Sequence, residues 1–377
     1  MRLVGFMGLF LGLSVVLYAA TPGATSAVKQ DGYEKMPPPR DLTAEQAANA
    51  ASNYQQYCAL CHGENREGYK NDHAPSLKSK SLLQTGVPHA ILRPMSYGRV
   101  GTAMGGYLDE VGGPLTLDEA WDLTYWLFWQ EDFERLRLSE NPVAGDAVRG
   151  ADVFAENCAS CHGVEGQGGT APALTNPSAL AHNKDEFLRY AIREGRDGTP
   201  MKGFEDRLSD NDIDNVTAYL RSKASSGAVS TVVLKAMPGP EDYVLNKDGA
   251  DPVFDLIDDQ YVSATDLNDA LNAGQRMVLL DTRVPSVWQR AHIAGSIPLP
   301  YYTDMEALTK DLPKDVQIVA YCSCPRAAAD YVVSKLTDQG YTRTAVMYEG
   351  IFGWMNMGYP VMRGEGLESA SQAAEAH

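Results

Sequence analysis

The chain opens M-R-L-V-G-F-M-G-L-F-L-G-L-S-V-V-L-Y-A-A-T-P-G, one charge ahead of an uncharged apolar run from Leu3 to Leu17. That run is shorter than the roughly 20 apolar residues a membrane span needs. Small residues and Pro22 follow it, so residues 1–20 read as an export signal, or as an anchor if uncleaved. A small, polar, proline-rich tether covers 21–42. From Thr43 apolar positions recur at helical spacing up to Cys58, and T-A-E-Q (43–46) has the form of a capping box.

The same pattern then returns. Y-Q-Q-Y-C-A-L-C-H-G (54–63) matches F-A-E-N-C-A-S-C-H-G (154–163), 100 residues later. A-P-S-L (74–77) matches A-P-A-L (171–174), and G-T-A-M (101–104) matches G-T-P-M (198–201). L-T-L-D-E-A-W-D-L-T-Y-W-L (115–127) matches L-S-D-N-D-I-D-N-V-T-A-Y-L (208–220), with Thr116 and Ser209 as N-caps and Glu119 and Asp212 three residues on. The repeat predicts two copies of one all-α domain, over 43–140 and 145–223.

Residues 224–260 show little regular patterning and read as a linker. Beyond them the period shortens. M-V-L-L (277–280), Q-I-V-A-Y (317–321) and T-A-V-M-Y (344–348) are short apolar runs, separated by helical stretches such as 327–336. This alternation predicts an α/β domain over 261–365, its parallel sheet covered on both faces, before a disordered tail over 366–377.

Composition narrows the partners. With 377 residues, 44% of them hydrophobic and 21% charged, the chain has ample material for several globular cores. Its net charge of −17 opposes nucleic acid or an anionic lipid surface as the main partner. Membrane contact is expected only through an uncleaved N-terminal segment. Export would put the chain in the periplasm, or otherwise outside the cytoplasmic membrane, where cysteine pairs can be disulfides.

Four of the six cysteines lie in two copies of C-x-x-C-H, the c-type haem attachment pattern. Thiols one helical turn apart can each form a thioether to a haem vinyl group, and the adjacent histidine reaches the iron. Cys58, Cys61 and His62 would do this in the first repeat; Cys158, Cys161 and His162 in the second. The expectation is two covalently bound haem c groups. A zinc site or a disulfide pair competes, but zinc C-x-x-C units usually lie close in sequence, and these lie a domain apart. For the second axial ligand, Met201 is the sole methionine of its repeat, and the alignment then selects Met104 over Met95. His73, His89 and His182 are rivals.

Residues 43–223 resemble two tandem class I cytochrome c domains: a helix, C-x-x-C-H, a proline, a loop methionine and a closing helix. The resemblance implies that carbonyls at Pro75 and Pro172 orient the ligating histidines, and that the partner is a redox protein such as another cytochrome, an oxidase or a reductase. The first copy departs in an enlarged methionine loop, G-T-A-M-G-G-Y-L-D-E-V-G-G-P-L. Trp121, Tyr125, Trp126 and Trp129 share one helix and read as packing around a haem.

From Ser263 to about Val361 the chain resembles the single-domain rhodanese family. The matching stretches are V-L-L-D-T-R (278–283), W-Q-R-A-H-I-A-G-S-I-P-L-P (288–300), I-V-A-Y-C (318–322) and M-Y-E-G-I-F-G-W-M-N-M-G-Y-P-V (347–361). The resemblance implies a persulfide carried by Cys322 and a small sulfur compound as substrate. Catalytic candidates are Cys322, Arg326 and Cys324, all in the loop C-S-C-P-R-A-A. That loop departs from the family: Arg326 comes one place early, and Pro325 removes a backbone N–H. Asp281, Arg283 and His292 are expected to be structural. The joint expectation is an exported dihaem cytochrome that carries electrons and is fused to a sulfurtransferase-type domain. The alternative is an electron carrier whose last domain only docks.

Overall fold

The structure is a computed structural model that describes residues 33–69, 73–99, 101–224, 238–323 and 326–363. The predicted signal, the first part of the tether, residues 225–237, Cys324, Pro325 and the tail lie outside the described residues.

The first helical group contains α1 (Ala44–Tyr57), α2 (Ala59–His62), α3 (Lys80–Thr85), α4 (Pro88–Tyr97) and α5 (Leu117–Trp129). The second repeats it with α6 (Ala147–Asn157), α7 (Ala159–His162), α8 (Pro177–His182), α9 (Asp185–Glu194) and α10 (Asp210–Ser222). Both expected capping boxes of the first group form. Thr43 accepts from the Gln46 N–H while Gln46 accepts from Thr43, and Thr116 and Glu119 do the same. Ser209 caps α10 by accepting from the Asp212 N–H. A short antiparallel pair, β1 (Glu34–Lys35) with β2 (Leu136–Arg137), adds to the first group and had no pattern in the sequence.

In each group the opening helix packs on the closing one. Gly150 on α6 allows close approach there, since a Cβ at that position would stand 1.9 Å from the Asn215 carbonyl oxygen of α10. The two groups meet along a polar seam. Ser81 donates to the Gly195 carbonyl at 3.1 Å, and Tyr190 donates to the Gln84 amide oxygen at 2.8 Å.

The C-terminal region is a five-stranded parallel sheet in the order β3 (Tyr261–Val262), β7 (Thr344–Met347), β6 (Gln317–Tyr321), β4 (Met277–Asp281), β5 (Ile297–Pro298). Four helices join the strands, α11 (Ala264–Asn272), α12 (Pro285–Arg290), α13 (Met305–Thr309) and α14 (Ala327–Asp338), and α15 (Gly350–Asn356) follows the last strand in the chain. The central strands are apolar on both sides, as burial on two faces requires. Val278, Leu280, Ile318 and Ala320 pack with Ala329, Val332 and Leu336 of α14. Met277, Leu279, Val319 and Tyr321 pack with Leu267 of α11 and with Ile351 and Trp354 of α15. Each such side chain contributes about 1.5–3 kcal/mol by leaving water. Among the described residues no helix is long and apolar enough to cross a membrane.

From Glu34 onward the helical groups and the sheet region belong to one contact unit. The first group lies against the sheet region. Ser286, at the start of α12, accepts from the Gly106 N–H at 3.1 Å and donates to the Gly106 carbonyl at 3.0 Å. Tyr301 donates to the Tyr57 carbonyl at 2.6 Å.

Candidate functional site

Both C-x-x-C-H segments adopt one geometry. The first cysteine ends a long helix, and a single helical turn carries the second cysteine and the histidine. Cys61 N–H donates to the Cys58 carbonyl and Cys161 N–H to the Cys158 carbonyl, each at 3.2 Å. The chain leaves that turn through glycine, with φ +84° at Gly63 and +83° at Gly163, a left-handed conformation that disfavours side chains. Neither cysteine pair is bridged by a disulfide. Burial pushes the Cys58 thiol up to about 12, with the Cys61 charge adding. Burial likewise pushes Cys158 up to about 11, against the opposing pull of Arg207.

His62 and His162 are buried, and Nδ1 of each lies 2.8 Å from the carbonyl oxygen of Pro75 and Pro172 respectively. A carbonyl only accepts, so Nδ1 carries the hydrogen and Nε2 keeps a lone pair for a metal. Burial pushes both imidazoles down, towards the neutral form a metal requires.

The methionine loops also coincide. Arg99 N–H donates to the Met104 carbonyl at 2.7 Å, and Arg196 N–H to the Met201 carbonyl at 2.8 Å. Within each loop the threonine bridges back to the arginine carbonyl and accepts from the methionine N–H. Gly101 and Gly198 sit at φ +74° and +73°. Met95 is instead part of the packed core of the first group, on α4. His73 is exposed, and His89 meets the Trp121 ring edge-on at 5.1 Å. The side chain of His182 lies outside what is described. Trp129 is 43% exposed and donates to the Arg40 carbonyl, so it does not pack in the core as expected.

The sequence reading missed Arg99 and Arg196. Burial pushes both guanidiniums down, Arg196 to about 10, and the charge of Arg99 lowers Arg196 further. Arg196 donates to the hydroxyls of Ser79 and Ser81 at 3.3 and 3.0 Å, and among the described residues no carboxylate is paired with either guanidinium. Two half-buried cations in one seam call for an anionic partner, and the carboxylates of haem c have that chemistry. The signal was present: the repeat extends back from G-T-x-M to R-x-G-T-x-M at 99–104 and 196–201. Donor set, tautomer and these two cations therefore fit a haem.

The third site stands at the carboxyl end of β6. Cys322 is 4% exposed, and its carbonyl accepts from the Ile351 N–H at 2.9 Å. Gly350 makes room for this loop: at φ +62°, a Cβ there would stand 1.6 Å from the Ser323 carbonyl oxygen. Asp281 and Arg283 form a buried ion pair with contacts of 2.8 and 2.6 Å. Burial lowers the Arg283 pKa, but Asp281, Tyr321 and Cys322 more than offset that and hold the guanidinium strongly protonated. Arg283 thus lies within electrostatic reach of the candidate nucleophile. Arg326 lies over the Tyr261 and Tyr348 rings, 4.2 Å from each centroid. Nδ1 of His292 lies 2.8 Å from the Trp288 carbonyl oxygen, and its ring stacks on that indole.

Comparison with known proteins finds a cytochrome region and a rhodanese-like domain. The family model described as cytochrome c oxidase, cbb3-type, subunit III matches residues 145–220, and that of the rhodanese-like domain matches 263–357. The chain is 38% identical over 94 residues to cytochrome c6 of Picosynechococcus, covering 22% of this chain and 78% of that protein. It is 26% identical over 237 residues to the cytochrome bc1 complex cytochrome c subunit of Corynebacterium diphtheriae, covering 58% of this chain and 78% of the other. Among solved structures, a thiosulfate sulfurtransferase from Pseudomonas aeruginosa is 26% identical over 28% of this chain and 20% of its own, with a TM-score of 0.26. The chain belongs to the c-type cytochromes and carries a rhodanese-like domain at its C-terminal end.

Proposed function

We propose that this protein is an exported dihaem cytochrome that oxidises a small inorganic sulfur compound at Cys322 and passes the electrons to a redox partner protein. One observation carries the link between the two chemistries. The apolar cluster that holds Cys322 also takes in Leu60, the residue between Cys58 and Cys61. The first C-x-x-C-H turn therefore packs on the same body of side chains as the candidate nucleophile. The equivalence of the two helical groups supports a haem in each. So does the 237-residue alignment with a cytochrome subunit, which is far longer than the stretch 145–220.

The residues have the following roles. Cys58 and Cys61, and Cys158 and Cys161, would hold the groups covalently. His62 and Met104, and His162 and Met201, would ligate the iron. Bound there, haem c supplies one-electron acceptance. At Cys322 the reaction is Cys–S⁻ + HS⁻ → Cys–S–S⁻ + H⁺ + 2e⁻. One S–S bond forms, the proton goes to water, and two one-electron acceptors match the two electrons released. The positive charge of Arg283 favours the thiolate and the persulfide anion over their neutral forms.

A second reading has one observation in its favour: Arg326 is engaged by two tyrosine rings rather than held clear for an anion. In that reading the rhodanese-like domain only docks. Stopped-flow absorbance of the oxidised holoprotein mixed with sulfide decides between them. Haem reduction that disappears in Cys322→Ser is expected. Equal rates in wild type and variant would leave an electron carrier with a docking module.

A further inference from the structure

We propose that the rhodanese-like domain seals the cysteine edge of the first C-x-x-C-H site, so that this chain exchanges electrons with external redox proteins at the second site alone. This rests on reading both motifs as haem sites.

The thioether bonds run to vinyl groups on one edge of a haem, so each cysteine pair marks where that edge lies. In the first repeat this edge is covered. Helix α2 packs against α14 of the rhodanese-like domain. The ring of Tyr302 meets Tyr57 edge-on at 5.1 Å, and Tyr301 sits 3.3 Å from the Tyr107 hydroxyl. A Cβ at Gly105, next to Met104, would stand 2.1 Å from Val284 Cγ2, so the methionine loop is covered as well.

In the second repeat the corresponding edge is more open. Cys161 is exposed where Cys61 is half-buried. Ser160 replaces Leu60, Asn157 replaces Tyr57, and Lys202 stands where Gly105 stands in the first copy. Ser160 and Lys202 are both exposed. The sequence thus puts apolar groups and a glycine where a domain covers the edge, and polar groups where none of the described residues does. Electron transfer between proteins falls steeply with distance, so the open edge is the exchange port. Arg207, exposed and close enough to act on Cys158 electrostatically, lies beside that port.

The test uses the full holoprotein reduced with ascorbate, which bypasses Cys322. Its oxidation by hexacyanoferrate(III) is followed at low and high ionic strength. Arg207→Glu is expected to slow the reaction several-fold at low salt, the difference shrinking as salt screens it. The charge-matched Lys310→Glu, on the rhodanese-like domain, is expected to keep close to the wild-type rate. Equal slowing by both substitutions, or by neither, overturns the proposal. A redox titration reads the seal itself. Tyr302→Ala is expected to lower one of two midpoint potentials, because water stabilises the more highly charged oxidised haem. Tyr302→Phe, which keeps the ring, is expected to move neither. If Tyr302→Ala shifts both potentials or none, the seal is refuted. Loss of sulfide oxidation in Cys322→Ser bears on the proposed reaction and leaves these outcomes untouched.

Discussion

Among single residues, the buried pair of Asp281 and Arg283 makes the sharpest demand. Asp281→Asn leaves a buried guanidinium without its counter-charge, and breaking such a pair costs about 3–5 kcal/mol. Chemical denaturation followed by circular dichroism should show that loss, well beyond the cost of an exposed pair such as Lys35 with Glu134. The residues that carry covalent chemistry were legible in the sequence, because C-x-x-C-H fixes three functional groups within five positions. Arg99 and Arg196 were not picked out although R-x-G-T-x-M recurs in both copies, because a repeated arginine does not by itself say that it is buried. Their meaning comes from burial and from each other's charge, and neither is written locally. Arg283 is similar. It was expected to be structural, and it is, yet the fold also brings its charge to Cys322.

At the scale of elements, glycine decides two contacts. Gly150→Ala would drive a methyl group to 1.9 Å from the Asn215 carbonyl oxygen and force α6 away from α10. A loss of about 1–3 kcal/mol is expected, as for other overpacked sites, and denaturant titration would measure it. Gly350→Ala meets backbone at 1.6 Å and also requires a left-handed conformation. The variant should lose sulfur loading at Cys322, read by mass spectrometry of the intact protein after exposure to a sulfur donor. The capping boxes at Thr43 and Thr116 were readable because a cap is a contact over three residues. Thr43→Ala should cost about 1 kcal/mol in the same titration. Strands β4, β6 and β7 announced themselves as apolar runs, whereas β5 did not. Two residues, one of them proline, give no period, and Ile297–Pro298 is a strand only because β4 lies beside it.

For the whole molecule, sequence pattern gave the order of the parts and nothing of their contacts. Ser286 and Gly106 exchange hydrogen bonds across 180 residues, and Tyr301 and Tyr57 meet across 244. No periodicity spans such distances. What the sequence did hold was the difference between the repeats. Leu60 against Ser160 and Tyr57 against Asn157 look like drift until the rhodanese-like domain is found over the first of each pair.

That cover also bears on how the protein is made. In the proposed export, N-terminus first, Cys58 and Cys61 would be presented well before Tyr301, Tyr302 and α14 emerge to close over them. In that reading, haem attachment at the first motif has an early interval in which its cysteines are reachable, whereas the second motif needs none. Moving the rhodanese-like domain to the front of the chain would remove that interval.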